Sequence, residues 1–128
     1  MDMIYERISD KPLAEVRTRL KAELALGGFG VLYELNFRDK LKEKDLDLPF
    51  DFYIMDVCNP KKAFDVLTKH ADVGYFLPCK AAVYEKDGKV RAGIIAPKAL
   101  IGMFGYGELD EVASEVERIL KTAVDSAV

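Results

Sequence analysis

The sequence predicts an α+β domain, a largely antiparallel sheet with helices packed on one face, in the order strand, helix, strand, strand, helix, strand, strand, helix. Three observations carry this. Runs with a two-residue apolar period alternate with runs at helical spacing. An Asp-Gly pair, Asp87-Gly88, separates two β-rich segments, as in a tight hairpin. Strands also occur in consecutive runs with the helices set apart, which argues for α+β rather than for a parallel α/β sheet.

Met1 to Ile8 reads as a short first strand. Ser9 or Asp10 then caps a helix with Pro12 in its first turn, where the missing N–H costs nothing. Leu13, Val16, Leu20 and Leu24 form its buried stripe, Arg17, Arg19, Lys21 and Glu23 lie off it, and Gly27-Gly28 ends it. Phe29, Val31, Tyr33, Leu35 and Phe37 alternate with Gly30, Leu32, Glu34 and Asn36, the pattern of a half-buried strand. Arg38 to Asp47 is a charged connector with one or two helical turns. Phe50 to Val57 is apolar at nearly every position, as in a strand covered on both faces or used in a subunit contact.

After Cys58, Asn59 is a good N-cap and Pro60 a good first residue for a helix with Ala63, Val66, Leu67 and His70 inward, ending near Ala71. Asp72-Val73-Gly74 is a turn. Cys79 to Glu85 and Lys89 to Ala96 form the hairpin, and Pro97 to Gly107 is a short apolar helical turn followed by a loop. Glu108 to Ala127 closes the chain as an amphipathic helix, with Leu109, Val112, Val116, Ile119, Leu120 and Ala123 on one face and acids in its first turn where the helix dipole favours them. If the first strand pairs with the second and third, the chain is two β-α-β-β units and a final helix.

Length and composition set the outer limits. A chain of 128 residues, 50% hydrophobic and 32% charged, suits one soluble domain over 1–128. A net charge of −3 with interspersed signs leaves no basic footprint for nucleic acid. No basic leader with an apolar core opens the sequence, and no apolar run approaches membrane length, so the expectation is a cytoplasmic protein with no membrane partner. Two cysteines in a reducing compartment are expected to rest as thiols.

The candidate chemistry centres on those cysteines. Cys58 precedes a helix start whose early residues are Lys61 and Lys62, and helix N–H groups and ammonium groups both stabilise a thiolate. Against this stands an inert, buried Cys58, since cysteine is among the most buried residue types. Cys79 alternates with Ala81 and Val83 and points to the core. A soft-metal site of Cys58, Cys79 and Met55 or Met103 offers only three ligands, fewer than a closed zinc site takes, so no metal and no cofactor are expected. His70, the single histidine, reads as a helix C-terminal cap, and Gly102, Gly105 and Gly107 lack dinucleotide-binding spacing.

The leading expectation is a homodimeric binding or sensing domain that holds a small anionic or thiol-reactive ligand at Cys58, Asn59, Lys61, Lys62, Cys79 and Lys80. A thiol redox or sulfur-transfer enzyme, with Cys58 as nucleophile and Cys79 as resolving partner, is the alternative. A structural interaction module without a pocket is the third reading. The homodimer rests on the apolar Phe50 to Met55 and Leu100 to Tyr106 segments, which exceed what the helices can cover.

Through Gly28-Phe29-Gly30-Val31-Leu32, Cys58-Asn59-Pro60, Leu77-Pro78-Cys79 and Val83-Tyr84-Glu85 the chain resembles the domain-of-unknown-function family numbered 302 over nearly its whole length. The resemblance implies an α+β domain similar in fold to the TATA-box-binding-protein type, often a homodimer, with no established activity. This chain carries Lys80 where the family commonly has Asn after the second cysteine.

Overall fold

Residues 3–128 are described by the structure, a computed structural model. Five strands form one antiparallel sheet: β1 (Ile4–Ser9), β2 (Gly30–Asn36), β3 (Phe52–Cys58), β4 (Cys79–Lys86) and β5 (Lys89–Ile95), in the spatial order β1-β5-β4-β3-β2. The helices are α1 (Leu13–Leu26), α2 (Phe37–Lys42), α3 (Pro60–Lys69), α4 (Pro97–Gly102) and α5 (Asp110–Ala127), with 3₁₀ turns over Ala71–Phe76 and Gly107–Leu109. The α+β class and the element order read from the sequence hold. The first two residues of the expected first strand, Met1 and Asp2, lie outside the described residues.

The core fills the space between the sheet and the α1–α5 pair. Val16, Leu20 and Leu24 of α1 and Val116, Leu120 and Val124 of α5 meet Met55, Val57, Ala81, Val83, Ala92 and Ile94 of the sheet. A smaller cluster of Val66, Val73, Ile101, Leu109 and Ala113 ties α3 and the 3₁₀ turn after it to α4 and α5. The opposite face of the sheet carries Ile4, Phe52, Ile54, Tyr84 and Ile95 around an open surface groove.

The sequence reading needs correction in several places. The first strand pairs with β5 (Ile4↔Ile95, Ser9↔Val90), not with the second and third strands, so β1 and β2 occupy opposite edges. The geometry allows it: the 14 residues of α1 extend about 21 Å, close to the roughly 19 Å across four strand spacings. Neither Ser9 nor Asp10 caps α1. Its N-cap is Pro12, without a side-chain cap, while Ser9 Oγ accepts the Lys11 N–H and donates to the Val128 carbonyl.

In β2 the register shifts between Val31 and Tyr33, a bulge at Leu32. The alternation therefore inverts: Tyr33 and Leu35 turn to the open face, Glu34 turns to the helices, and Phe37 leaves the strand to begin α2. Leu67, expected inward, is 41% exposed, and Val66 is the one buried residue of α3. The hairpin is as expected, with Asp87 (φ 56°) and Gly88 (φ 74°) both left-handed, as a type I′ turn requires. Among the described residues no helix is long and apolar enough to cross a membrane.

Candidate functional site

β3 and β4 are neighbours with Val57 opposite Cys79, so the last residue of β3, Cys58, and the first residue of β4, Cys79, arrive at the same end of the sheet. Each is placed by what adjoins it. Asn59 stops the strand and caps α3, its Oδ1 accepting the Lys62 N–H at 3.2 Å, with Pro60 in the first turn. Cys79 follows the cis Leu77–Pro78 peptide, which turns the chain from the 3₁₀ turn into β4.

The two cysteines border one cleft of about 40 Å³, enough for a few waters or one compact group. Its remaining wall is mostly apolar: Phe29, Val66, Pro78, Ile101, Val112 and Val116 are among its residues. A second groove of about 320 Å³ shares Leu77, Pro78, Cys79, Pro97 and Ile101 with it, so Cys79 borders both spaces. Both cysteines are free and half-buried. Burial, and secondarily the charge of nearby Cys58, pushes the Cys79 thiol from 9.0 up to about 11, so it is a neutral thiol at physiological pH.

Four of the six expected ligand residues meet here, namely Cys58, Asn59, Lys62 and Cys79. Lys61 and Lys80 do not line the cleft. Lys61 is one position round the helix from Lys62 and so faces about 100° away. Lys80 pairs with Asp56 and borders both the groove of about 320 Å³ beside Cys79 and the groove on the open face of the sheet. Lys62 itself is paired with Glu115 of α5 at 3.1 Å, which reduces its call on an anion in the cleft.

The methionines considered as soft ligands lie elsewhere: Met55 is in the core, Met103 is 68% exposed, and neither lines the cleft. Among the described residues no group of three or more His, Cys, Asp or Glu is disposed to hold a metal ion. His70 is indeed at the C-terminal end of α3. Its Nε2 meets Glu108, its ring stacks on Tyr106 at 3.7 Å between centroids, and the Tyr106 hydroxyl donates to Asp72 at 2.6 Å. The bond with His70 holds the Glu108 carboxyl below its ordinary range, and the cluster fastens the end of α3 to the turn before α5.

Sequence reasoning missed Phe29, Pro97, Ile101, Val112 and Val116 as wall residues. Helical spacing marked Val112 and Val116 as buried, but not that their stripe faces the cysteines. Gly28 offers one signal that was available. It has a φ of 87°, and a Cβ there would come within 3.0 Å of Asn59 Nδ2, so glycine both permits the turn and leaves room for the cap beside Cys58.

The chain is 36% identical to an uncharacterized conserved protein DUF302 from Bacillus stearothermophilus, whose crystal structure superposes with a TM-score of 0.94 over 100% of both chains. No curated protein matches the sequence. The family model described as domain of unknown function DUF302 matches residues 5–127, and the chain belongs to that family.

Proposed function

We propose that the domain binds a small, mainly apolar, thiol-reactive ligand in the cleft bordered by Cys58 and Cys79. The observation that carries this reading is two free thiols on one apolar cleft. A purely structural module would need no such space. Of the two ligand classes expected from the sequence, the thiol-reactive one fits better than a small anion, because Lys62 is paired and Lys61 and Lys80 lie outside. Catalysis by a thiol needs a base or a stabilised thiolate. The cleft is lined by no histidine or carboxylate among the described residues, and Cys79 stays protonated, so binding is favoured over turnover. A reducing compartment such as the cytoplasm would keep both thiols available.

A series of N-alkylmaleimides of increasing chain length tests the reading. Binding before reaction predicts labelling at Cys58 whose rate rises with alkyl length in the native protein and loses that dependence in urea. A rate independent of chain length in the native protein would remove the cleft from the explanation.

A second reading concerns assembly: we propose a homodimer joined through the open face of the sheet. Ile4, Ile8 and Tyr33 are each at least half exposed there, beside Phe52, Ile54 and Tyr84. Around the groove the charges are paired within the chain, Glu6 with Arg91 at 3.5 Å and Asp56 with Lys80, whereas Lys86 and Lys89 at the hairpin end of this face have no ion pair among the described residues, so a second copy centred on the groove isolates no charge. The segment from Leu100 to Tyr106, expected to share this role, instead contributes Ile101, Phe104 and Tyr106 to the smaller core.

A further inference from the structure

We propose that Cys58 and Cys79 act together as a dithiol clasp for a soft electrophile with two exchangeable groups, represented by a monosubstituted trivalent arsenical. The inference rests on the cleft being a site for thiol-reactive ligands and specifies the class. Neighbouring strands are about 4.8 Å apart, and Cys58 is one residue beyond the Val57↔Cys79 pair, diagonal to Cys79; regular alternation would turn it away from Cys79, but Cys58 is the last residue of β3 and borders the cleft that Cys79 lines. Both border the same cleft and both are free.

Ligand number then narrows the choice. With no third His, Cys, Asp or Glu grouped with them among the described residues, and Met55 and Met103 outside the wall, the site suits an element satisfied by two sulfurs. Charge narrows it further, because the walls formed by Phe29, Val66, Ile101 and Val116 penalise a charged product. An arsonous acid, R–As(OH)₂, meets both conditions. Two As–O bonds break and two As–S bonds form, each thiol proton leaves with a hydroxide as water, arsenic stays trivalent, and the product is uncharged. The organic substituent can extend into the adjoining groove of about 320 Å³ beside Leu77 and Pro97.

Phenylarsine oxide, which hydrates to such an acid, is the probe. Native mass spectrometry should show one phenylarsenic group bound per chain with two hydrogens lost, and neither thiol should then react with a maleimide. The adduct should survive excess glutathione and be removed by 2,3-dimercaptopropanol, the mark of two sulfurs acting on one atom. Cys58→Ser and Cys79→Ala, each checked for folding by circular dichroism, should hold the arsenical at least about 100-fold more weakly, the loss expected when an intramolecular second bond is removed. An adduct on the unaltered protein that glutathione removes, or equal retention by folded Cys58→Ser, overturns the clasp. If that happens while maleimide labelling of Cys58 still rises with chain length, the clasp fails and the single-thiol binding reading stands; loss of both removes the two together.

Discussion

The cysteines show how little separates a site residue from a bystander. Asn59-Pro60 fixed the helix start in the sequence because capping is local chemistry, and Cys58 therefore stood next to a helix N-terminus as expected. Which lysine joined it was not legible, since a helix turns about 100° per residue and the face of α3 is set by what it packs against. Lys62 shares the cleft with Ala63 and Val66, whereas Lys61 does not. Cys79 was expected to face the core and does, packing partly buried against the main cluster, but it also borders the cleft, and its thiol is raised to about 11. Folding therefore favours its protonated form: any stability this contributes is complete below the ordinary value of 9.0 and is lost as pH rises through about 11. Iodoacetamide should accordingly label Cys58 before Cys79, with Cys79 labelling climbing only as the pH approaches 11. Peptide mass mapping over a pH series checks this. Equal labelling of the two at pH 8 would contradict the burial assigned to Cys79.

At the scale of elements, the bulge at Leu32 decides what β2 contributes. The alternation from Phe29 to Phe37 was sound as far as Val31, but one inserted residue exchanges the faces of everything after it, and nothing in a period-2 pattern marks the insertion. Glu34 consequently points towards α1, where Arg17 donates two hydrogen bonds at 2.6 and 2.8 Å and Lys21 a third at 2.7 Å. The Arg17 bonds, reinforced by Lys21, hold the Glu34 carboxyl below its ordinary 4.5. A lowered carboxyl stabilises the fold above the unfolded value and loses that effect as pH falls through the folded one. Glu34→Gln should thus cost about 1–2 kcal/mol near neutrality, with the difference from the parent shrinking once the pH drops below 4.5. Urea melts at pH 7 and pH 3 measure it, and a constant difference at both values would show that charge is not involved. The β1–β5 pair offers a separate check. A Cβ at Gly93 would approach the Tyr5 carbonyl oxygen to 2.7 Å, so Gly93→Ala should destabilise by about 1–3 kcal/mol and loosen β1 first in hydrogen exchange.

For the whole molecule, the hairpin and the α+β class were legible because both rest on short-range signals, while the placement of β1 was not, because pairing between distant strands leaves no mark in either one. That placement matters to assembly: with β1 and β2 on opposite edges, all five strands contribute to a single face that α1 and α5 leave uncovered. The apolar run of β3 supplies Phe52 and Ile54 to it, while Met55 and Val57 face the core, so one strand serves both surfaces. If that face joins two copies, a charge placed on Ile54 should separate them, since it would be buried against the partner without an ion-pair mate. Analytical ultracentrifugation should find the parent chain at twice the monomer mass and Ile54→Lys at the monomer mass. The cysteine cleft lies at the end of the sheet against α3, α4 and α5, with walls that include no residue of β1 or β5, so maleimide labelling of Cys58 should be the same in both proteins. That second measurement separates dissociation from unfolding, because a misfolded variant would lose the chain-length dependence of labelling along with its partner. A parent chain that sediments as a monomer at every concentration tested would rule out the dimer and leave the face exposed in solution.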